Sequence, residues 1–281
     1  PANEFWPIPI MPVSAAQGLG TGDLLDMSVA FSEGFGNAWS GIVLADPRYA
    51  DSDGPSQASG FIIDISQTPA SGDLGWYSES SVQHLLWHVH QEASLGLPAL
   101  HRVMTGPLRS SSLLAAVHNF SALLKADTPA AASLINSQLA TLQITDNNSD
   151  GLGTGEANDG GVPRALPVYA SHLSSTQAFC TTDAAAQPFN GLGLYVHIRF
   201  TLPSAGTRTL QVTAQSPTTG SNPNFTLIQP DGSTRSSRSA TPDSETLSAM
   251  LSAGAYTLTL SDNNQTNGNA TGERCLNLRI K

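Results

Sequence analysis

Asp146-Asn147-Asn148-Ser149-Asp150-Gly151-Leu152-Gly153-Thr154-Gly155 divides this chain, because the apolar spacing differs on its two sides. No core can be built from those ten residues, so they read as a loop or linker. Before them, apolar residues recur at steps of three and four, the spacing that stacks side chains on one helical face. From about residue 190 the period is two, with Val196, Ile198 and Phe200 alternating against Tyr195, His197 and Arg199. The expected fold class is α then β in two domains: a helical lobe over 1–145, a linker over 146–189 and an antiparallel β-sandwich over 190–281.

Working outward, helices are expected over 23–44, from near Ser78, and over 97–105, 111–125 and 129–142, the last opened by Pro129 at its first position. Phe61-Ile62-Ile63-Asp64-Ile65 reads as a strand or an extended edge. Strand-like runs recur at 207–214, 224–229, 245–251, 255–261 and 274–280, with turn residues such as Pro230-Asp231-Gly232 between them, as in a β-sandwich or jelly roll.

The first helix carries the most site-like signature. Phe31, Phe35, Ala38 and Ile42 form its apolar stripe, yet Gly34, Gly36 and Gly41 sit inside it, each costing roughly 1 kcal/mol relative to Ala. Gly34, Gly41 and Ala30 lie beside Asn37, and Glu33 is one turn away. A helix stripped beside a carboxylate lets another backbone or a ligand come close.

Four other groups carry chemistry. Asp146, Asn148 and Asp150, followed by Gly151 and the Leu152 carbonyl, fit the first half of a calcium loop. Position 12 is Ala157, with Glu156 adjacent, and the same residues also make ordinary turns. His84 and His88 are one turn apart. They read as two polar-face histidines or, with Glu33, as a metal site. Tyr77 can donate to a developing oxyanion and Glu79 can bind a substrate amine; equally, Ser78 caps the second helix with Glu79 in its first turn. Cys180 and Cys275 read as one disulfide closing a loop on the order of a hundred residues, worth about 4–5 kcal/mol in the chain-entropy model. That disulfide places the protein in an oxidising compartment, secreted or extracellular.

The 281 residues carry a net charge of −10 with only 12% charged residues, so no basic stripe exists to neutralise nucleic acid phosphates. No apolar run approaches the roughly 18 residues that span a bilayer. The chain starts at Pro1 without a basic-then-apolar leader, as expected of a processed product or a piece of something longer.

Three separated stretches bear a resemblance: residues 22–38, with Ser32-Glu33-Gly34-Phe35-Gly36-Asn37; Asp46-Pro47-Arg48-Tyr49-Ala50-Asp51; and Gly75-Trp76-Tyr77-Ser78-Glu79-Ser80. Together, over roughly 20–145, they resemble a group of secreted bacterial zinc-metallopeptidase-like proteins of gluzincin type. The C-terminal part resembles the bacterial pre-peptidase C-terminal type of β-sandwich, through 190–193, 244–247, 253–258 and Cys275. The first resemblance implies that Glu33 matches the third zinc ligand and Asn37 the group that orients a ligand histidine. The chain departs from that pattern in having no His-Glu-x-x-His. No histidine precedes Asp23, and Asn3-Glu4-Phe5-Trp6-Pro7 is at best a ruined remnant.

Two functions are therefore expected. One is the C-terminal part of a secreted zinc metalloendopeptidase, acting on a peptide or protein substrate once its lobe is completed. The other is a non-catalytic secreted binding or attachment protein. In either case the chain alone is expected to be inactive.

Overall fold

Asp26 caps α1 (Met27–Leu44) by accepting the Ser28 N–H on Oδ1 at 3.0 Å. The structure, a computed structural model, describes residues 22–53, 55–183, 190–215, 220–239 and 241–281; the stretches at 3–7 and 18–21 lie outside these. The helix begins four residues later than the spacing predicts. Leu25 is drawn into a β-bridge with Gly191, and the turn starts only where Asp26 can cap it.

A hairpin follows, β1 (Arg48–Asp53) against β2 (Ser59–Asp64), with Phe61 and Ile62 exposed. Next comes α2 (Glu79–Gln91), capped by Ser78, whose side chain accepts from the Ser81 N–H. Every residue from Glu79 to Trp87 is buried, so α2 is the central helix of the lobe rather than one of its sides. The Gly34 signature is explained here. A Cβ on Gly34 would lie 2.6 Å from the Glu79 carbonyl oxygen and 2.6 Å from Val82 Cβ, so glycine is what lets α1 and α2 meet backbone to backbone.

Three helices complete the lobe: α3 (Gly96–Thr105), α4 (Val117–Asp127) and α5 (Ala132–Thr141), the last entered through a 3₁₀ turn at Pro129–Ala131. The expected helix at 111 starts instead at Val117. Before it the chain bends irregularly, with the Leu114 N–H donating to the Tyr169 hydroxyl at 2.9 Å.

Residues 146–169 have no regular secondary structure, but Val162, Val168 and Tyr169 are buried in the helical core. Nine strands then form two stacked sheets. They are β3 (Ala170–Ser171), β4 (Thr176–Cys180), β5 (Tyr195–Leu202), β6 (Gly206–Ala214), β7 (Pro223–Ile228), β8 (Thr234–Ser237), β9 (Ser244–Leu251), β10 (Gly254–Asp262) and, after the short α6 (Asn263–Thr266), β11 (Cys275–Ile280). One sheet has the order β3-β5-β10-β7-β8, the other β4-β11-β6-β9. All pairs are antiparallel except β3 with β5.

The protein is thus α plus β, with a β-sandwich whose core includes Phe200, Val212, Phe225, Leu227, Tyr256, Leu258 and Leu278. The sandwich takes its first two strands from before residue 190. Those segments are short and polar, with Phe179 their only buried side chain, so they carry no alternation to read. Cys180 and Cys275 stand directly opposite each other on β4 and β11 and form the disulfide. No helix among the described residues is long and apolar enough to cross a membrane.

Candidate functional site

The close approach at Gly34 sets two polar rungs between α1 and α2. Asn37 Nδ2 donates to Gln83 Oε1 at 3.0 Å. One turn earlier, the charge of Glu33 adds to the cost of ionising the buried Glu79. Burial, and then the charges of Glu33, Asp23 and Asp73, push the Glu79 carboxyl up to about 7, while burial raises Glu33 as well. Tyr49, on β1, has its ionisation suppressed by burial, then by Asp51, and then by Glu79 and Glu33. Glu33 and Glu79 thus form an acidic pair between α1 and α2, close enough to β1 to act on Tyr49, in which the Glu79 carboxyl keeps its proton up to near neutral pH. Such a pair can give and take a proton at physiological pH.

The raised Glu79 has a consequence for stability. Its unfolded value lies near 4.5 and its folded value near 7, so the folded protein binds the extra proton between them. Stability is complete below the lower value and falls as pH rises through 7. The α2 N-terminus favours the anion by about 0.3–1 kcal/mol, which offsets part of this. Melting of the wild type should therefore worsen from pH 5 to pH 8, and Glu79→Gln should flatten that slope and add about 1–3 kcal/mol at pH 8. Parallel melting curves for the two proteins across this range would show that Glu79 is not the buried acid.

Tyr77 is engaged elsewhere. Its hydroxyl donates to Asn158 Oδ1 at 2.9 Å, with the Leu74 carbonyl oxygen 3.0 Å away, and Trp76 Nε1 donates to the Asn158 carbonyl at 2.7 Å. The histidine pair also departs from the polar-face expectation. His84 is buried, its ring 4.2 Å from that of His88, and His88 Nε2 lies 3.0 Å from the Ser66 carbonyl. Burial and the neighbouring His88 lower the His84 pKa. The pair faces the turn after β2, with α1 against another side of α2.

In the loop at 146, Asp146 Oδ1 accepts the Asn148 N–H at 2.9 Å and Oδ2 the Gly155 N–H at 2.8 Å, while Asp150 Oδ1 accepts from Leu152 at 3.0 Å. Asp146 and Asn148 come together beside Gly155, whereas Asp150 is exposed. Among the described residues, the one set of three His, Cys, Asp or Glu side chains with ligand atoms within 4.8 Å of one another is Cys180, Glu273 and Cys275, and its sulfurs are joined in the disulfide. Glu33 and Glu79 thus offer carboxylates but, among the described residues, no third donor for zinc, and they do not by themselves fit that metal.

Two buried polar clusters carry no local sequence signal. Asp26 Oδ2 meets His197 Nε2 at 2.8 Å, and His197 Nδ1 meets Thr259 Oγ1 at 2.9 Å, which joins α1 to the outer face of the five-stranded sheet. Glu156, beside the vacant calcium-ligand position at Ala157, is buried against His118.

No family model and no curated protein matches the sequence. Among solved structures, the pre-peptidase C-terminal domain of a collagenase from Bacillus anthracis is similar at 14% identity and a TM-score of 0.30, over 40% of this chain and 94% of that one. PliG, a periplasmic inhibitor of g-type lysozyme from Salmonella Typhimurium, is similar at 16% identity and a TM-score of 0.27, over 40% and 98%. CorA, a surface-associated copper-binding protein of Methylomicrobium album BG8, is similar at 6% identity and a TM-score of 0.30, over 40% and 96%.

Proposed function

We propose that this chain is the C-terminal part of a secreted zinc metalloendopeptidase-like protein, whose helical lobe forms one wall of a peptide cleft. The observation that supports this is the convergence of the three resembling motifs. Glu33, Tyr49 and Glu79 come from separate stretches, yet Glu33 bears on the ionisation of Glu79 and both bear on that of Tyr49. In this reading Glu33 is offered to the metal as third ligand, and Asn37, fixed by Gln83, orients a ligand histidine. Glu79 meets the substrate amine. Tyr77 donates to substrate only after releasing Asn158.

Two histidines and a general-base glutamate would come from a segment this chain does not contain, so no hydrolytic step is assigned to the residues here. Calcium on Asp146, Asn148 and Asp150 belongs to the same proposal, and melting that is unchanged by EDTA and then by calcium would leave that loop a turn.

The test is casein hydrolysis by the secreted product of the complete reading frame. Chelator-sensitive cleavage that falls about 100-fold or more in Glu33→Ala is expected, with none from this chain alone. Cleavage that ignores both chelator and Glu33→Ala, or no cleavage by the complete product, would overturn the peptidase reading. The second reading, a non-catalytic attachment protein, is favoured by the missing third donor. An unrelated sequence or a stop codon upstream of Pro1 in the encoding DNA would decide for it.

A further inference from the structure

The outer face of β5, β10 and β7 holds a hollow of about 70 Å³ beyond the part of the sheet joined to the helical lobe. Tyr195, Asn224, Thr226, Arg238, Ser261 and Asn267 are among the residues that line it. In a protein of net charge −10, no carboxylate lines this hollow and Arg238 forms no ion pair among the described residues. The Arg238 guanidinium has only a long bond, Nη2 donating to Thr226 Oγ1 at 3.3 Å. Asn224 shows the opposite need. Its Oδ1 is shut off from solvent with no hydrogen-bond partner among the described residues. The amide gains a partner by turning toward the hollow.

An unpaired guanidinium asks for an anion, and an unpartnered amide among hydroxyls asks for groups that both donate and accept. Size sharpens the choice. The hollow holds several water-sized groups, more than a lone small anion fills and enough for a carboxylate with adjacent sugar hydroxyls. We propose that this hollow binds the carboxylated edge of a saccharide, a uronic-acid unit, with Arg238 on the carboxylate and Asn224, Ser261 and Asn267 on neighbouring hydroxyls. This site is independent of the Glu33 and Glu79 pair between α1 and α2.

The experiment is calorimetric titration of the full chain with methyl glucuronide, methyl glucoside and sodium acetate. The glucuronide is expected to bind with a Kd of about 1 mM, and both other probes about tenfold more weakly. Arg238→Gln, at an exposed position, should reduce glucuronide binding to the glucoside level and remove its salt dependence. Asn267→Ala should weaken both sugars. No heat from the glucuronide, acetate binding as tightly as the glucuronide, or full glucuronide affinity in Arg238→Gln would each overturn the assignment.

Discussion

Glu156→Ala should destabilise the protein by about 3–5 kcal/mol, the range for breaking a buried, hydrogen-bonded charge pair. The Glu156 carboxylate is fully enclosed and receives His118 Nε2 at 3.0 Å. It also accepts the backbone N–H groups of Thr145 at 3.0 Å, Asp146 at 3.2 Å, Ala157 at 3.0 Å and Asn158 at 2.9 Å. Removing it strands these donors and leaves His118 buried beside nothing. Because Asn158 in turn holds Trp76 and Tyr77, the loss should spread from the loop into α2.

The pH dependence identifies the cause. Burial alone would raise the Glu156 carboxyl, but the bonds from His118, Thr145, Asn158 and Asp146 outweigh it and hold the carboxyl down at about 2. A depressed carboxyl contributes stability above its unfolded value near 4.5, and that contribution is lost as pH falls toward 2. Urea unfolding should therefore show the wild type and Glu156→Ala far apart at pH 7 and converging below pH 4. A difference under about 1 kcal/mol at pH 7 would mean that the loop is anchored elsewhere.

These contacts also mark what the sequence could and could not show. Helices α1, α2, α3 and α5 and strands β5, β6, β7, β9, β10 and β11 lie near their expected positions, because each buries an apolar face whose period survives in local sequence; β8 was not expected, since none of its side chains is buried. Strands β3 and β4 escaped because they are held by a neighbour's backbone and by the disulfide instead of by an apolar face of their own. Glu33 and Asn37 stood out because glycines in a helix are anomalous, and the anomaly has a local address; Glu79 stood out as the acid behind the Ser78 cap. Glu156 sits among glycines and acidic residues where nothing separates a buried anchor from a solvated turn; its partner His118 is 38 residues away. The resting partner of Tyr77 was hidden for a related reason. Its hydroxyl is held by Asn158, which only the folded path of the loop brings near.

Asp26 and His197 are 171 residues apart in sequence, and their separation by mutation should be the second large effect. Both side chains are 4% exposed and they meet at 2.8 Å. Burial alone would raise the Asp26 carboxyl, but the charge of His197 and the bonds from His197 and Ser28 prevail and lower it. Asp26→Ala should cost about 3–5 kcal/mol by leaving the histidine unpaired, of which about 1 kcal/mol is the lost cap of α1. Asp26→Asn separates the two contributions, since an amide oxygen still caps Ser28 but carries no charge for His197.

The same pair ties the helical lobe to the sandwich, beside the Leu25–Gly191 bridge and the Arg199 Nη1 bond to the Ser112 carbonyl at 3.0 Å. In calorimetry the wild type should unfold in one transition, and Asp26→Ala should split it, with the disulfide-closed sandwich melting last. Since the lowered carboxyl contributes only above its unfolded value near 3.8, the two proteins should converge as pH falls below it. A double-mutant cycle with His197→Ala measures the tie directly. If the two single losses simply add, the pair holds no energy in common, and the joint between helices and sandwich rests on its backbone contacts alone.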